Sequence, residues 1–388
     1  MAIEILQYPA SCSLAQSPIV CAVSESVSGS IASSSFQYVA ELYYWTGALN
    51  DSGAFADFTL AKYPNESLSG IFDFSKIINS TLQDPLEQNP SQVVYFKADL
   101  YHQFISASAF YTSSHVETGI YRAIDGYALY QEPITQSIQD KSVHWPIMSD
   151  GPTTQSAFEG NLGRMGAWVG AGGGTVPDNI VYSGSNGQIE THSLSFTTET
   201  SGQIDNFPIG TNESDFLISS SVDWYSVQAA VGTTLLGSPI KFDVVCEKKY
   251  PNIRIKWKNR YGQFDFHNFN LVSRQGFSTD TKTFQRQIGS WSSPTLSYNN
   301  YDSATQNYST DSKQVISVNS DYISEDYNEI LKQLLVSDEI YWIYNEDNDD
   351  LRPITIKTNS IQFKTNVVDK LIQYAFDFEQ GQAYKLIL

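Results

Sequence analysis

The sequence predicts a mainly β protein with two β-sandwich-like domains, one or two short helices and a long loop-rich central insert. Aromatic residues make up 13% of the chain, with 24 Tyr and 21 Phe, and these side chains favour the half-buried surface of a pleated sheet. Runs rich in β-branched and aromatic residues recur between turn-forming segments. A length of 388 residues exceeds the size of most single cores, so we expect two domains.

Residues 1–133 are predicted to form an N-terminal β-domain. Its strand-like runs are 17–23, 36–45, 55–63, 92–104 and 119–130. Between the third and fourth runs, the apolar positions Ile71, Phe74, Ile77 and Ile78 follow helical spacing. This spacing predicts one short helix within 70–82.

Residues 134–236 are predicted to form a loop-rich insert or arm with short strands, because small and polar residues dominate there. The stretch 163–175 is rich in glycine, but no Gly-Lys-Ser/Thr follows it and the Gly170-Ala171-Gly172 sequence lacks the third glycine of a dinucleotide fingerprint. We therefore expect flexible structure there, not a phosphate site. Such a segment suits ordering against a neighbouring protein.

Residues 237–388 are predicted to form a C-terminal β-domain with one helix. A β-meander is expected over 240–246, 252–257 and 263–272, with a tight turn at 259–262. A connection rich in Ser, Thr, Asn and Tyr leads to a strand at 314–318, and Ser324 is expected to cap a helix over 325–336. Further strands are predicted at 339–344, 354–357, 360–364 and 370–379, and the last one alternates polar and apolar residues.

Charge and motif content argue against several classes of function. The formal charge of −19 disfavours direct contact with nucleic acid, and no apolar run is long enough for membrane insertion. The N-terminus lacks a secretory signal, which predicts synthesis in a cytosol. The cysteines, Cys12, Cys21 and Cys246, are too few and too scattered for a disulfide framework, so we expect free, buried thiols.

No motif for catalysis or for a cofactor is found. The acidic run 345–350 lacks the glycine and glutamate of a calcium loop and is predicted to be a hairpin turn. The five histidines show no metal-ligand spacing, and no Gly-x-Ser-x-Gly elbow is present. We therefore predict a protein that is not an enzyme and needs no metal or cofactor.

The most distinctive stretch is 252–271, NIRIKWKNRYGQFDFHNFNL. It resembles a pattern in structural proteins of tailed bacteriophages that infect marine and Bacteroidetes-type bacteria, Trp-x-Asn-x-x-Gly-x-x-Asp-x-Phe-x-Phe, matched at Trp257, Asn259, Gly262 and Asp265. The aromatic residues that follow depart from that pattern, because Phe266 comes directly after the aspartate. The order of the C-terminal helix and strands, and the segments 17–19 and 36–38, resemble the same family.

The resemblance implies a virion component of the tail, neck or baseplate. Its partners would be other copies of itself in a homo-oligomeric ring and other virion proteins, with no cofactor and no turnover. Closed cyclic symmetry would multiply many weak contacts into a stable assembly.

Two alternatives stay open. A carbohydrate-binding receptor-recognition or adhesin module would use aromatic rings to stack on a glycan, and Trp168, Trp224 and Trp291 are the candidates because they are predicted to lie in loops. A glycan hydrolase would need a pair of carboxylates whose separation is a three-dimensional quantity.

Overall fold

A computed structural model describes residues 3–25, 35–49, 56–82, 93–135, 137, 144–169, 176–195, 203–219, 221–245, 250–345, 350–365 and 372–381. Strands account for 54% of this structure and helices for 6%, which confirms a mainly β fold. The chain divides into two compact units. Unit 1 comprises 1–246, 257–265 and 329–337, and unit 2 comprises 247–256, 266–328 and 338–388.

In the described residues, the N-terminal part of unit 1 contains ten strands and one helix. They are β1 (Ile3–Gln7), β2 (Cys12–Leu14), β3 (Val20–Glu25), β4 (Gln37–Thr46), β5 (Phe58–Lys62), β6 (Ser69–Asp73), α1 (Ser75–Leu82), β7 (Val93–Ser106), β8 (Ala109–Thr112), β9 (Val116–Glu117) and β10 (Tyr121–Ile124). One sheet has the order β1-β3-β6 and the other β2-β10-β7-β4-β5, with β8 and β9 paired to β7.

These two sheets enclose a common hydrophobic core. Val23 and Phe72 from the smaller sheet, Leu42 and Phe96 from the larger one, and Ile78 of α1 belong to one cluster of buried side chains. Alternation along β3 and β4 sends every second side chain into this core, as expected for a half-buried strand. The arrangement is sandwich-like, as the sequence predicts.

The predicted helix over 70–82 begins only at Ser75. Its first residues belong instead to β6, where Gly70 lies so close to Tyr38 that a Cβ would approach the Tyr38 ring to 2.7 Å. Asp73 ends the strand, and its side chain accepts hydrogen bonds from the backbone N–H groups of Ser75 and Ile19, at 3.0 Å each. The aspartate thus supplies the start signal of the helix.

The segment 134–236 is more regular than its composition predicts. It contains β11 (Thr154–Phe158), β12 (Arg164–Val169), β13 (Asn179–Gly184), β14 (Ile189–Ser193), β15 (Gln203–Pro208) and β16 (Trp224–Val231), and β17 (Thr234–Val245) follows. Five of these form a sheet of order β11-β17-β16-β13-β14, while β12 pairs with β15. In β13, buried and half-buried residues alternate, with Ile180 and Tyr182 buried. The glycine run 170–175 lies outside the described residues.

Unit 2 is built on a seven-stranded sheet of order β19-β18-β24-β25-β26-β23-β20. The strands are β18 (Ile253–Lys258), β19 (Phe264–Phe269), β20 (Arg274–Gln285), β21 (Ser290–Ser292), β22 (Thr295–Ser297), β23 (Thr305–Asn319), β24 (Ile340–Asn345), β25 (Asp350–Ile356) and β26 (Ala375–Gln380). Strands β21 and β22 form a separate hairpin. The ring of Phe269 packs edge-on against Phe376 and Phe378, with centroids 5.6 and 6.5 Å away.

The helical segment predicted at 325–336 is a short 3-10 turn, Glu325–Tyr327, followed by α2 (Asn328–Val336). The predicted side-chain cap is wrong, because the Ser324 hydroxyl makes no capping bond and donates to the Asp326 carboxylate at 3.4 Å. Only the backbone carbonyl of Ser324 serves the turn, accepting from the N–H of Tyr327 at 3.2 Å.

The strand predicted at 360–364 is also wrong, since none of these residues is in a strand. The backbone N–H of Lys364 donates to the side-chain hydroxyl of Tyr374 at 2.8 Å, where a strand would donate to the backbone of a neighbouring strand. By contrast, the predicted alternation in β26 is confirmed, with Phe376 and Phe378 buried and Asp377 exposed. Pairing of β24 with β25 confirms the predicted hairpin, whose turn 346–349 lies outside the described residues.

The cysteines behave as predicted where they are described. Cys12 and Cys21 are free and buried, and burial raises the pKa of each thiol to about 12. A thiol with so high a pKa is a poor nucleophile and a poor metal ligand near neutral pH. Cys246 lies outside the described residues.

Candidate assembly surface and the buried motif loop

The motif residues Asn259 and Gly262 lie in the tight loop between β18 and β19, and Asp265 lies in β19; all three belong to unit 1. The side-chain oxygen of Asn259 accepts hydrogen bonds from the N–H groups of Tyr261 and Gln263, at 2.9 and 3.1 Å. Its amide nitrogen donates to the carbonyl of Met148 at 2.9 Å. One buried side chain therefore closes the loop and attaches it to a segment 111 residues away.

Gly262 is required by the conformation and by the space available. Its φ is +73°, in the left-handed region, and a Cβ would lie 2.6 Å from the carbonyl oxygen of Asp125. Gly262 completes the predicted turn by donating its N–H to the carbonyl of Asn259 at 3.0 Å.

Arg260, which sequence reasoning did not single out, is the centre of a buried polar network in unit 1. Its guanidinium is 4% exposed, pairs with Glu132 at 2.7 Å and contacts the carboxylate of Asp150. Tyr261 donates its hydroxyl to Asp150 at 2.7 Å, and the Gln333 side-chain amide donates to the same carboxylate at 3.1 Å. Burial lowers the pKa of Arg260, but Asp150 and Glu132 outweigh it and the pKa is raised.

Asp265 is a second buried carboxyl beside this network. It is 4% exposed and accepts a hydrogen bond from the Ser149 hydroxyl at 2.8 Å. Burial raises its pKa to about 7, and the bond from Ser149 acts in the opposite direction.

These groups include the residue types of an acid–base site, but each of them except Glu132, whose side chain is 20% exposed, is less than a tenth exposed. Reacting groups must meet a substrate, whereas these side chains meet one another. Trp257 is fully buried at the end of β18, and Phe266 packs its ring under the guanidinium of Arg254, 4.8 Å from the centroid, in unit 2. The motif segment therefore holds the fold together.

The three tryptophans proposed to stack on sugars differ in accessibility, and none lies in a loop. Trp168 is in β12 and is 3% exposed, so its ring is covered by protein. Trp224 begins β16, is half-buried, and has the Lys241 ammonium 5.4 Å from its ring centroid. Trp291 is in β21 and is 69% exposed. Of the three, Trp291 alone presents most of its ring to solvent.

Among the described residues, Glu41, Asp99 and His115 offer metal-ligand atoms within 4.8 Å of one another. Glu41 and Asp99 are directly opposed on β4 and β7, a register that sequence spacing does not reveal. The group is internally bonded, with His115 Nδ1 2.7 Å from Asp99 and the Tyr101 hydroxyl donating to Glu41 at 3.1 Å. Burial is the largest cause that raises the pKa of Tyr101 to about 12, and the carboxylates of Glu41 and Asp99 raise it further.

A shallow depression of about 410 Å³ in unit 2 is lined by Asp350, Leu351, Arg352, Pro353 and Gln380. Its lining holds one carboxylate, Asp350, which pairs with Arg352 at 3.3 Å. Glycoside hydrolysis commonly uses two carboxylates, so these lining residues do not by themselves form such a site.

The most exposed feature of unit 2 is a two-stranded extension, residues 277–314, which we call the β-arm. Within it β20 pairs with β23 from Phe277↔Gln314 to Gln285↔Thr305, a ladder about 30 Å long. β23 pairs with β26 only beyond it, from Val315 onward. In the described sheet β20 has β23 as its single neighbour, so its other edge is open to a further strand.

No residue of the β-arm is buried. Its six aromatic side chains are between 44% and 84% exposed: Phe277, Phe284, Trp291, Tyr298, Tyr301 and Tyr308. Phe284 and Tyr308 contact each other edge-on, with centroids 6.4 Å apart. A two-stranded ribbon without a core is marginally stable in water, and exposed aromatic groups of this number are typical of binding surfaces.

The β-arm is also electrically distinct. It carries three cations and three carboxylates: Lys282, Arg286, Lys313, Asp280, Asp302 and Asp311. Its net charge is zero, so the formal charge of −19 belongs entirely to the rest of the chain.

None of the helices in the described ranges is long and apolar enough to cross a membrane. No family model matches the chain, and no curated protein matches its sequence.

Proposed function

We propose that this protein is a non-catalytic structural subunit that assembles with copies of itself into an oligomeric ring, as a tail, neck or baseplate component of a tailed bacteriophage. The observation that carries the assembly role is the β-arm, because it exposes six aromatic side chains and an open strand edge without a core of its own. Burial against another protein would supply the missing core.

The phage assignment rests on the resemblance of 252–271 to virion proteins. The structure gives that segment a structural task, because Asn259 and Gly262 close the loop that carries the Arg260 network. A subunit with an accessible β-arm fits a role in which contacts, not turnover, are the function.

The proposal is tested by the native mass of the purified chain across a concentration series, with negative-stain imaging of every species above a monomer. We expect discrete oligomers that include closed rings, since heterologous contacts close when the rotation per subunit permits it. A monomer at every concentration would refute the assembly role.

A carbohydrate-binding role is the second candidate, and the exposure of Trp291 favours it. Exposed aromatic rings suit sugar faces as well as protein interfaces. A glycan array comparing the natural chain with Trp291→Ala tests this role. Binding that is lost in the variant would support it, and no binding by the natural chain to any glycan would reject it.

A further inference from the structure

We infer that the β-arm of one subunit docks on the rest of a second copy of this chain, in an arm-to-body contact. This inference rests on the proposed assembly role and names the partner of that surface. The term body denotes all residues outside 277–314.

The exposed aromatic surface of the β-arm is comparable in size to one side of a stable protein interface. Six aromatic side chains at 44–84% exposure offer roughly 600–1,000 Å² of contact area, given about 150–250 Å² for each fully buried ring. A stable protein interface uses about 800 Å² on each side. The β-arm alone therefore approaches the area that one partner surface needs.

The distribution of charge favours the body of a second copy as the partner of the β-arm. Two bodies that each carry all of the −19 formal charge repel each other, so body-to-body contact is disfavoured. A neutral β-arm adds no repulsion when it approaches an acidic body, and Lys282 makes no ion pair with any described residue. Its ammonium can pair with a carboxylate of the second copy.

The geometry of a ring also favours an arm-to-body contact over an arm-to-arm contact. An arm-to-body contact gives every subunit one donor surface and one acceptor surface, which is the heterologous arrangement that generates rings. An arm-to-arm contact would use the donor surface of both partners and would stop at a dimer. The ring in the proposed function therefore requires the arm-to-body contact.

The decisive variant replaces 278–313 by Asn-Gly, which joins Phe277 to Gln314 through a two-residue hairpin turn. No residue removed is buried, so the sheet keeps its core. This armless chain can accept a β-arm but cannot donate one. We expect it to be a monomer alone, and to bind the labelled intact chain and cap its growing assemblies.

Two outcomes would overturn the inference. An armless chain that assembles as the intact chain does would show that other surfaces drive assembly, while the proposed function would stand. An armless chain that neither self-associates nor binds the intact chain would show an arm-to-arm contact. Failure of the intact chain itself to assemble would instead count against the proposed function.

A milder variant keeps the fold of the β-arm. The double substitution Trp291→Ser with Tyr301→Ser removes two rings that are 69% and 84% exposed. We expect self-association to weaken at least tenfold, whereas Tyr63→Ser, 65% exposed and outside the β-arm, should change it less than twofold. Equal effects of the double substitution and the control, or loss of glycan binding with assembly intact, would contradict the inference.

Discussion

Asn259 shows how one side chain can determine a loop. It accepts two backbone N–H groups inside the turn and donates to Met148, so three hydrogen bonds depend on a residue that is 2% exposed. Arg260 and Asp265, close by, are ionisable groups held by burial and by fixed partners. At the residue scale the buried loop contains the residue types of an acid–base site, but its hydrogen bonds and ion pairs stabilise the fold.

Asn259→Ala should lower the free energy of unfolding by about 3 kcal/mol, because it leaves buried backbone groups without partners. Chemical denaturation followed by circular dichroism measures this. Asn299→Ala is the matched control, since Asn299 is exposed in the β-arm, and it should cost less than about 0.5 kcal/mol. Equal stability of the two variants would contradict the role given to Asn259.

We expect the free energy of unfolding to depend on pH through the carboxyl group of Asp265. Its pKa is raised from 3.8 to about 7 in the folded protein, so the folded state binds the proton more tightly. The resulting stabilisation is complete below pH 3.8 and is lost as the pH rises through 7. Asp265→Asn should therefore gain stability relative to the natural chain as the pH rises from 4 to 8.

The measurement is the difference in unfolding free energy between the two proteins at each pH, which cancels the titration of all other groups. Asn299→Ala, at an exposed position in the β-arm, serves as the control because it removes no ionisable group, and it should give a difference that does not vary with pH. A flat difference for Asp265→Asn as well would show that this carboxyl titrates normally.

At the scale of elements, much of the β structure is predictable and the buried network is not. Strand β26, for example, places exposed Asp377 between buried Phe376 and Phe378 because one face of the strand packs on a core. The turn at 259–262 is evident from Asn and Gly, but Tyr261 bonds Asp150, 111 residues away, and Arg260 bonds Gln333, 73 residues away. Local patterns contain no information about such pairs.

The β-arm is the element that sequence patterns predict worst. The segment 277–313 reads as a polar connection because neither face of its ribbon meets a core, so no apolar alternation develops. Its frequent Tyr and Thr residues favour extended structure and were the available signal. The region 134–236 shows the related limit that short strands with small residues resemble loops.

Gly262→Ala should destabilise the loop between β18 and β19 by about 2 kcal/mol or more, because the substitution combines a positive φ with a backbone clash at 2.6 Å. Gly276→Ala is the control, since nothing lies within 4 Å of its added methyl group and its φ is ordinary. Thermal or chemical unfolding distinguishes them. The loop assignment fails if both variants are as stable as the natural chain.

Phe269→Ala should cost about 3–5 kcal/mol of folding stability, because Phe269 is fully buried against Phe376 and Phe378 in unit 2. Phe277→Ala removes a ring that is 60% exposed, and we expect it to leave unfolding nearly unchanged while weakening self-association. Denaturation and sedimentation velocity on both variants separate a core residue from an interface residue. Similar unfolding losses would contradict that distinction.

At the scale of the whole molecule, charge and exposure divide the chain into an acidic body and a neutral, aromatic β-arm. On the proposed assembly role, repulsion between bodies would keep copies apart at low concentration, and the β-arm would offer the contact that overcomes it. This division of roles accounts for a protein whose buried polar groups are structural and whose largest exposed feature lacks a core.

The most direct test is hydrogen exchange of the β-arm amides, 277–314, measured by mass spectrometry at concentrations below and above self-association. The account predicts fast exchange in the monomer and strong protection in the assembly, while the amides of β13, Asn179–Gly184, stay equally protected in both. Assembly that forms while the β-arm continues to exchange fast would contradict the account.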